Sequence, residues 1–267
     1  MREIDTGSPK LLFRVDEGVG VVTLNDPENR NPLGYDLRPV LRRTIDQVAR
    51  DPEIRCLLLT GAGTAFCSGG NAKAMAGGEQ PPLEERIRGI QWESEVVALI
   101  HEMPKPSIAS LPGAAAGAGF SLALACDLRI AARTAFLLTA FGRLALPGDY
   151  GGTWLLTKLV GPARARELYF TSRRVAADEA LALGLVNRVV EDFALAGEAM
   201  AWARELAAGP PVAFRFMKEN LNRALAGDLR SCLAEEAERQ CWAAETEDFR
   251  EATRAFVEKR EPRFRGR

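Results

Sequence analysis

The apolar positions of the chain alternate between short continuous runs and patterns with helical spacing. Residues 19–24 form a strand-like run that ends at the turn-forming Asn-Asp-Pro segment 25–27. Over residues 35–50 the apolar positions recur at helical spacing, and Pro39 is tolerated because it falls in the first turn of that helix. The apolar run at 54–60 predicts a second strand. This order of strand, helix and strand is typical of an α/β protein.

The alternation continues to residue 190 and then stops. We predict, in chain order, a strand at 108–111, a small-residue helix at 117–126, a strand at 128–132, helices at 151–160, 163–170 and 178–183, and a last strand at 185–190. From Phe193 onward we expect three or four amphipathic helices. The chain therefore divides into a predicted core, residues 1–192, and a helical region, residues 193–267. The apolar side chains of the helical region indicate either a buried layer or a contact with a second subunit.

Composition narrows the range of partners and compartments. The chain has 35 basic and 36 acidic residues, so its net charge is near zero and neither nucleic acid nor an acidic membrane surface is an expected partner. The five cysteines form no CxxC pair and no zinc-type cluster with histidine, which favours free thiols and no metal site. The sequence contains no apolar leader and no run of about 20 apolar residues. We expect a soluble cytoplasmic protein.

Two glycine-rich segments carry the strongest chemical signal. Residues 66–71 follow the strand predicted at 54–60, and residues 113–121 follow the strand predicted at 108–111. The first N–H groups of a helix have no carbonyl partner within the helix, so two such turns can direct free N–H groups at one polarised oxygen. Glycine and alanine allow a ligand to approach that backbone closely. The alternative is a pair of tight strand-to-helix turns that bind nothing.

In their order along the chain, these segments closely resemble the crotonase family, also called the enoyl-CoA hydratase/isomerase family. The resemblance covers nearly the whole chain. The segments that carry it are NDPENRNP (25–32), LTGAGTAFCSGG (59–70), KPSIA (105–109), GAG (117–119), LALACDLRIA (122–131), GGT (151–153), LVG (159–161), GLVNRVV (184–190) and AFVEKR (255–260).

The resemblance implies a spiral of ββα units and a C-terminal helical region that drives assembly into a homotrimer or a dimer of trimers. It also implies an acyl-CoA thioester as substrate, so that coenzyme A arrives with the substrate and no separate cofactor is needed. The backbone N–H groups of Gly70 and Ala118 match the two family donors that hold the thioester oxygen while an enolate forms. Further matches imply contacts with coenzyme A, in which basic side chains lie near its phosphates and one backbone segment flanks its path: Arg30, Lys73, Lys259 and Ser68.

The acidic residues depart from the pattern of the family's hydratases. Ser121 and Phe141 occupy the positions that match the two hydratase glutamates, and neither can act as a carboxylate base. Asp149, in the segment LPGDYGG, matches the aspartate of family members with Pro-Asp-x-Gly-Gly, among them ring-epoxide isomerases and other double-bond isomerases. Moving a double bond needs one base that takes a proton from one carbon and returns it to another. This combination favours isomerisation over water addition.

The predicted surroundings of Asp149 suit a proton carrier. We expect the carboxyl to lie among Phe141, Tyr150 and Trp154, where burial disfavours its ionised form and raises its pKa. The alternative is a turn residue that hydrogen-bonds to its own backbone in the Pro-Gly-Asp loop. Given the family match, we favour the proton carrier.

Other titratable residues have less specific interpretations. His101 is the only histidine, and we expect it to be structural, a cation at the end of a helix. Glu93 and Glu95 lie on that helix, and either is a candidate second acid. Asp127 is expected to link the small-residue helix to its neighbours. Asn71 stands where relatives usually carry aspartate, and nothing in the sequence explains the change.

The sequence thus yields one leading hypothesis and three alternatives. The leading hypothesis is an acyl-CoA isomerase with Asp149 as its base and Gly70 and Ala118 as oxygen-binding donors. The alternatives are an enoyl-CoA hydratase, a thioester hydrolase on the same fold, and an acyl-CoA-binding subunit of weak activity.

Overall fold

Two β-sheets contain the parallel strands that the sequence predicts. A computed structural model describes residues 1–71, 77 and 81–267. The strands of these residues are β1 (Arg2–Ile4), β2 (Leu11–Asp16), β3 (Val19–Leu24), β4 (Cys56–Gly61), β5 (Ala65–Cys67), β6 (Ser107–Leu111), β7 (Ala114–Ala116), β8 (Leu128–Ala132), β9 (Phe136–Leu138), β10 (Val175–Ala176) and β11 (Arg188–Val190). The larger sheet has the order β1-β2-β3-β4-β6-β8-β11, and the smaller sheet has the order β10-β9-β7-β5.

The larger sheet is antiparallel only at the edge formed by β1, β2 and β3, and its remaining pairs are parallel. Its central strands, β4 and β6, are buried along almost their whole length. Leu57, Leu59 and Ile108 have no exposed surface. A parallel strand covered on both faces requires such a continuous apolar run, which is why these strands were readable from the sequence.

A repeating unit connects the two sheets. β4, β6 and β8 in the larger sheet are each followed by a short strand in the smaller sheet, β5, β7 and β9 respectively. A helix then begins at Ala118 after β7 and at Gly152 after β9. These units form the predicted ββα spiral, and β5, β7 and β9 lie side by side. The turns that follow β5 and β7 are therefore neighbours in space.

The α-helices of the described residues are α1 (Leu37–Arg50), α2 (Leu83–Glu102), α3 (Ala118–Ala125), α4 (Gly152–Thr171), α5 (Ala177–Ala182), α6 (Leu195–Ala207), α7 (Pro211–Ala224), α8 (Leu229–Ala244) and α9 (Glu247–Glu258). Pro39 lies in the first turn of α1, as predicted. The helices predicted at 151–160 and 163–170 are the two arms of α4. They meet at a kink where Gly161 has a φ of 74° and Pro162 follows.

Some elements differ from the sequence predictions. The predicted strand at 185–190 pairs only over its last three residues, as β11. The edge strands β1 and β2 were not predicted, nor were the two- and three-residue strands of the smaller sheet. Three or four helices were expected after Phe193, and the described residues form four, α6 to α9. No helix within the described residues has both the length and the apolar character needed to cross a membrane.

A buried polar network fastens α7 to the larger sheet. The Lys218 ammonium donates to the Asp127 carboxylate at 2.8 Å and to the carbonyl oxygens of Ile100 at 2.9 Å and Lys105 at 3.2 Å. The same Asp127 oxygen accepts hydrogen bonds from the Ser107 backbone N–H at 2.8 Å and the Ser107 hydroxyl at 2.7 Å. The prediction that Asp127 links α3 to its neighbours is confirmed.

We expect Lys218→Met to lower the free energy of unfolding by about 3 kcal/mol, because it leaves the Asp127 carboxylate without its cation and removes three hydrogen bonds. The matched control is Arg215→Met on the same helix, where the exposed side chain pairs with Glu219 and lies over the Phe216 ring, so the expected loss is below about 1 kcal/mol. Urea unfolding at one fixed protein concentration measures both. Equal losses for the two variants would contradict the role of the buried network.

Candidate active site

The two glycine-rich turns of the sequence lie against each other. Gly69 and Gly117 both have positive φ angles, 89° and 54°. A Cβ atom on Gly69 would lie 2.8 Å from the Ala116 carbonyl oxygen and 3.4 Å from the Ala118 nitrogen. Such distances leave no room for a side chain, so the approach of the two turns depends on glycine at position 69.

The backbone around these turns leaves specific N–H groups without partners. The Gly69 carbonyl accepts the Leu33 N–H at 2.8 Å, and the Ser68 N–H donates to the Arg30 carbonyl at 2.9 Å. Within the described residues, neither the Gly70 N–H nor the Ala118 N–H has an acceptor. Ala118 is the first residue of α3, where unpaired N–H groups are expected. Two donors on adjoining turns can hold one polarised oxygen.

Cys67 packs where the two turns meet. Its thiol is not in the reactive thiolate form. Its sulfur accepts the Gly69 N–H at 3.4 Å. A Cβ atom on Gly119 would lie 2.6 Å from the Cys67 Cβ, so the first turn of α3 packs directly on β5. Burial raises the pKa of the Cys67 thiol to about 12. The thiol is therefore uncharged at neutral pH.

Ser121 connects α3 to the loop that carries Asp149. The side chain is fully buried, and its hydroxyl donates to the Asp149 backbone carbonyl at 3.1 Å. Gly152 at the start of α4 has no space for a side chain, because a Cβ atom there would overlap the Ser121 hydroxyl. At the position that the sequence resemblance matches to a hydratase glutamate, this chain thus has a hydroxyl that fixes a loop.

Asp149 is half-buried, and its Oδ1 atom is buried without a hydrogen-bond partner among the described residues. The loop around it is sharply turned, with positive φ angles of 116° at Gly148, 51° at Tyr150 and 65° at Gly151. Burial raises the pKa of Asp149 above its ordinary value, the Arg38 charge lowers it, and the Glu93 charge raises it. The direction expected from the sequence is confirmed, and burial is its largest cause.

An ion pair between α1 and α2 lies beside this carboxyl. The Arg38 guanidinium contacts the Glu93 carboxylate at 2.5 Å, and their side chains are only 10% and 13% exposed. Arg38 Nε also donates to the Leu33 carbonyl at 2.9 Å, and Leu33 is the residue that bonds to the Gly69 turn. Of the two candidate second acids, Glu93 is therefore held by Arg38, and Glu95 is exposed.

The aromatic surroundings differ in part from the expectation. Phe141 and Tyr150 are buried, at 4% and 3% exposure. Trp154, expected beside the carboxyl, is 44% exposed, and its ring packs edge-on against His101 at 5.5 Å. Tyr169 of α4 was missed by the sequence analysis, although its ring stacks on Phe141 at a centroid distance of 5.9 Å. In the sequence, the one feature that marks Tyr169 is its phenol hydroxyl among the apolar residues of α4.

His101 has the predicted helix-end position but not the expected positive charge. His101 lies in the last turn of α2, as predicted. Burial and then the nearby Lys218 charge lower its pKa, so the neutral imidazole is favoured at this position.

Two of the three basic residues matched to coenzyme A contacts lie within the described residues, in different parts of the fold. Arg30 is exposed next to the first turn, and its carbonyl holds the Ser68 N–H. Lys259 is exposed at the C-terminal end of α9. Lys73 lies outside the described residues. Their contacts with coenzyme A stay a prediction.

Comparisons with known proteins agree with this geometry. The family model for enoyl-CoA hydratase/isomerase matches residues 14–267. The chain is 38% identical to the 1,2-epoxyphenylacetyl-CoA isomerase of Escherichia coli, with 96% of this chain and 98% of the relative covered. It is 36% identical to the short-chain-enoyl-CoA hydratase of Clostridium acetobutylicum, with 94% and 95% covered.

A solved structure of a similar protein has the same fold. The crystal structure of an enoyl-CoA hydratase from Polaromonas sp. JS666 superposes with a TM-score of 0.91 at 34% identity, covering 96% of this chain and 99% of that one. The fold is therefore the crotonase fold. On its sequence match, its fold and its relatives, the chain belongs to the enoyl-CoA hydratase/isomerase family of acyl-CoA-processing enzymes.

Proposed function

We propose that the protein isomerises an acyl-CoA thioester by moving a double bond, or a bond in a ring, through an enolate. The Gly70 and Ala118 N–H groups hold the thioester oxygen, and Asp149 carries the proton. The observation that carries this proposal is the Asp149 carboxyl, whose Oδ1 atom is buried and unpartnered within the described residues, on a loop that Ser121 ties to the helix beginning at Ala118.

The proposed chemistry needs no group beyond these residues. The Asp149 carboxylate takes a proton from the carbon next to the thioester or from the carbon beyond the double bond. The electron pair moves into the thioester carbonyl, and the Gly70 and Ala118 N–H groups stabilise the resulting enolate oxygen. The protonated Asp149 then returns the proton to the other carbon. Atoms and charge balance, and the raised pKa brings the carboxyl closer to the strength needed for both steps.

Isomerisation fits the described residues better than hydration. Water addition in the family relies on a pair of glutamates, whereas here the Ser121 hydroxyl is occupied by the Asp149 carbonyl and the Phe141 ring stacks on Tyr169. The names of relatives do not decide between the reactions, since an isomerase and a hydratase match at 38% and 36% identity. The acidic residues of this chain support the choice of isomerisation over hydration.

Assembly and coenzyme A binding complete the proposal. Several large apolar side chains of α8 and α9 are exposed in the single chain, including Trp242 at 62% and Phe256 at 86%. We propose that these helices form the interface of a homotrimer or of a dimer of trimers, in which Lys259 reaches a neighbouring subunit's ligand. Arg30, Lys73 and Ser68 contact coenzyme A within the same subunit.

We expect Asp149→Asn to reduce double-bond migration and solvent-deuterium incorporation by about 10²- to 10⁴-fold, because the amide cannot accept the proton. Mass spectrometry of 2-enoyl-, 3-enoyl- and ring-acyl-CoA esters in deuterium oxide measures both processes. The control is Asp178→Asn, which changes a carboxyl that is 74% exposed, and it retains wild-type rates.

Each other outcome of that experiment identifies a different function. Net water addition that depends on Asp149 identifies a hydratase, and free coenzyme A identifies a thioester hydrolase. Tight binding of esters without exchange identifies a non-catalytic subunit. Exchange that survives Asp149→Asn refutes the role of this carboxyl.

We expect Glu93→Gln to move the acidic limb of the kcat/KM profile to lower pH. Glu93 raises the pKa of Asp149, and Arg38 lowers it, so neutralising Glu93 lowers the pKa and keeps the carboxylate form available at lower pH. The matched control is Glu95→Gln, two residues along the same helix and exposed, which leaves the profile in place. A shift in the opposite direction would refute this electrostatic account.

A further inference from the structure

A second unpaired polar atom lies beside Asp149. Among the buried side-chain nitrogen and oxygen atoms of the described residues, three have no hydrogen-bond partner: Arg42 Nε, Asp149 Oδ1 and Tyr169 Oη. The Arg42 guanidinium lies over the Trp92 ring at 4.4 Å. Buried polar atoms in native proteins are almost always paired. Two exceptions in one place call for a common explanation.

The Tyr169 hydroxyl lies against the loop that carries the carboxyl. A Cβ atom on Gly148 would lie 3.4 Å from Tyr169 Oη, and a Cβ atom on Gly152 would lie 2.7 Å from it. Gly148 directly precedes Asp149 in the chain, and Gly152 follows it by three residues. The phenol oxygen therefore approaches the backbone on both sides of the proposed base, and only glycine at position 152 leaves room for it.

The ring holds the hydroxyl in place as a donor. It stacks on Phe141 almost in parallel, at an angle of 7° between the ring planes, and it stands on the regular part of α4 after the kink. Burial, and secondarily the Asp149 charge, raise the pKa of Tyr169 above its ordinary value. The phenol therefore keeps its proton at neutral pH and can donate one hydrogen bond.

Packing alone does not explain a hydroxyl at this position. The ring contacts would be the same for phenylalanine, whereas an unpaired buried hydroxyl is costly. A ligand that carries an acceptor oxygen to Oη would remove that cost. A purely hydrocarbon acyl chain would leave it in place.

We propose that Tyr169 is a specificity-determining residue whose hydroxyl donates a hydrogen bond to an oxygen of the substrate's acyl group, beyond the thioester carbonyl. The preferred substrates are then acyl-CoA esters that bear a hydroxyl, ketone or ether-type oxygen close to the carbons between which Asp149 moves the proton. This inference rests on the proposed function, since it assumes that an acyl group lies beside Asp149.

The test compares the binding of saturated esters, which have no double bond to move. The probes are pentanoyl-CoA, 3-hydroxypentanoyl-CoA and 4-oxopentanoyl-CoA, and titration calorimetry gives each dissociation constant. The wild-type protein binds at least one oxygen-bearing ester more tightly than pentanoyl-CoA. Tyr169→Phe weakens that ester about tenfold, the effect of one hydrogen bond, and leaves pentanoyl-CoA unchanged.

A matched variant removes a different phenol hydroxyl. Tyr35 is 58% exposed, and its ring supports the Arg38 guanidinium at 4.7 Å. Tyr35→Phe retains that ring and retains the wild-type preference among the esters. The unchanged affinity of Tyr169→Phe for pentanoyl-CoA shows that the variant is folded and that its acyl site is intact.

Three results would overturn the inference, and they can be told apart. Equal wild-type affinity for all three esters, or equal weakening of all three by Tyr169→Phe, overturns the inference and leaves the isomerase proposal standing. The second of these results would mean that the hydroxyl acts through Asp149 or through packing. If no ester binds, the proposed function fails, and the inference fails with it.

Discussion

The contact between the turns after β5 and β7 is the constraint on which the site depends. Gly69 can approach the Ala116 carbonyl and the Ala118 nitrogen only because it has no side chain, and its φ of 89° suits glycine. The parallel pairing of two three-residue strands brings those turns together. Without this approach, the Gly70 and Ala118 N–H groups would not lie on adjoining turns. The larger sheet serves the site by holding β4 and β6 in register.

In the proposed site, Ser121 and the Arg38–Glu93 pair both act on Asp149. The Ser121 hydroxyl holds the loop of Asp149 through one hydrogen bond of 3.1 Å. The charge that acts on Asp149 comes from the buried Arg38–Glu93 pair, which also bonds through Leu33 to the first turn. One connected set of contacts therefore supports both the proposed oxygen-binding donors and the proposed base. A buried carboxyl oxygen without a partner, such as Asp149 Oδ1, is unfavourable for folding but useful for proton transfer.

The elements predicted most accurately from the sequence are those whose apolar pattern lies within one continuous segment. β3 and β8 have the predicted bounds because their apolar runs are continuous and end at clear turns. The first half of α2 is polar and shows no apolar helical pattern. The sequence therefore predicted only the C-terminal part of that helix. The Arg38–Glu93 pair joins residues 55 positions apart, and its existence depends on how α1 packs against α2. Tyr169 reaches the Asp149 loop only through the fold of α4, and no local motif marks it.

The thioester carbonyl stretch of a bound saturated ester tests the central claim most directly. Isotope-edited infrared spectroscopy of butyryl-CoA, labelled with carbon-13 at the carbonyl, would be recorded free and bound to the protein. Two N–H groups aimed at this oxygen weaken the carbonyl bond, so the account predicts a clear shift of the bound ester to lower frequency. A bound ester whose carbonyl frequency equals that of the free ester would contradict the claim that Gly70 and Ala118 polarise the substrate.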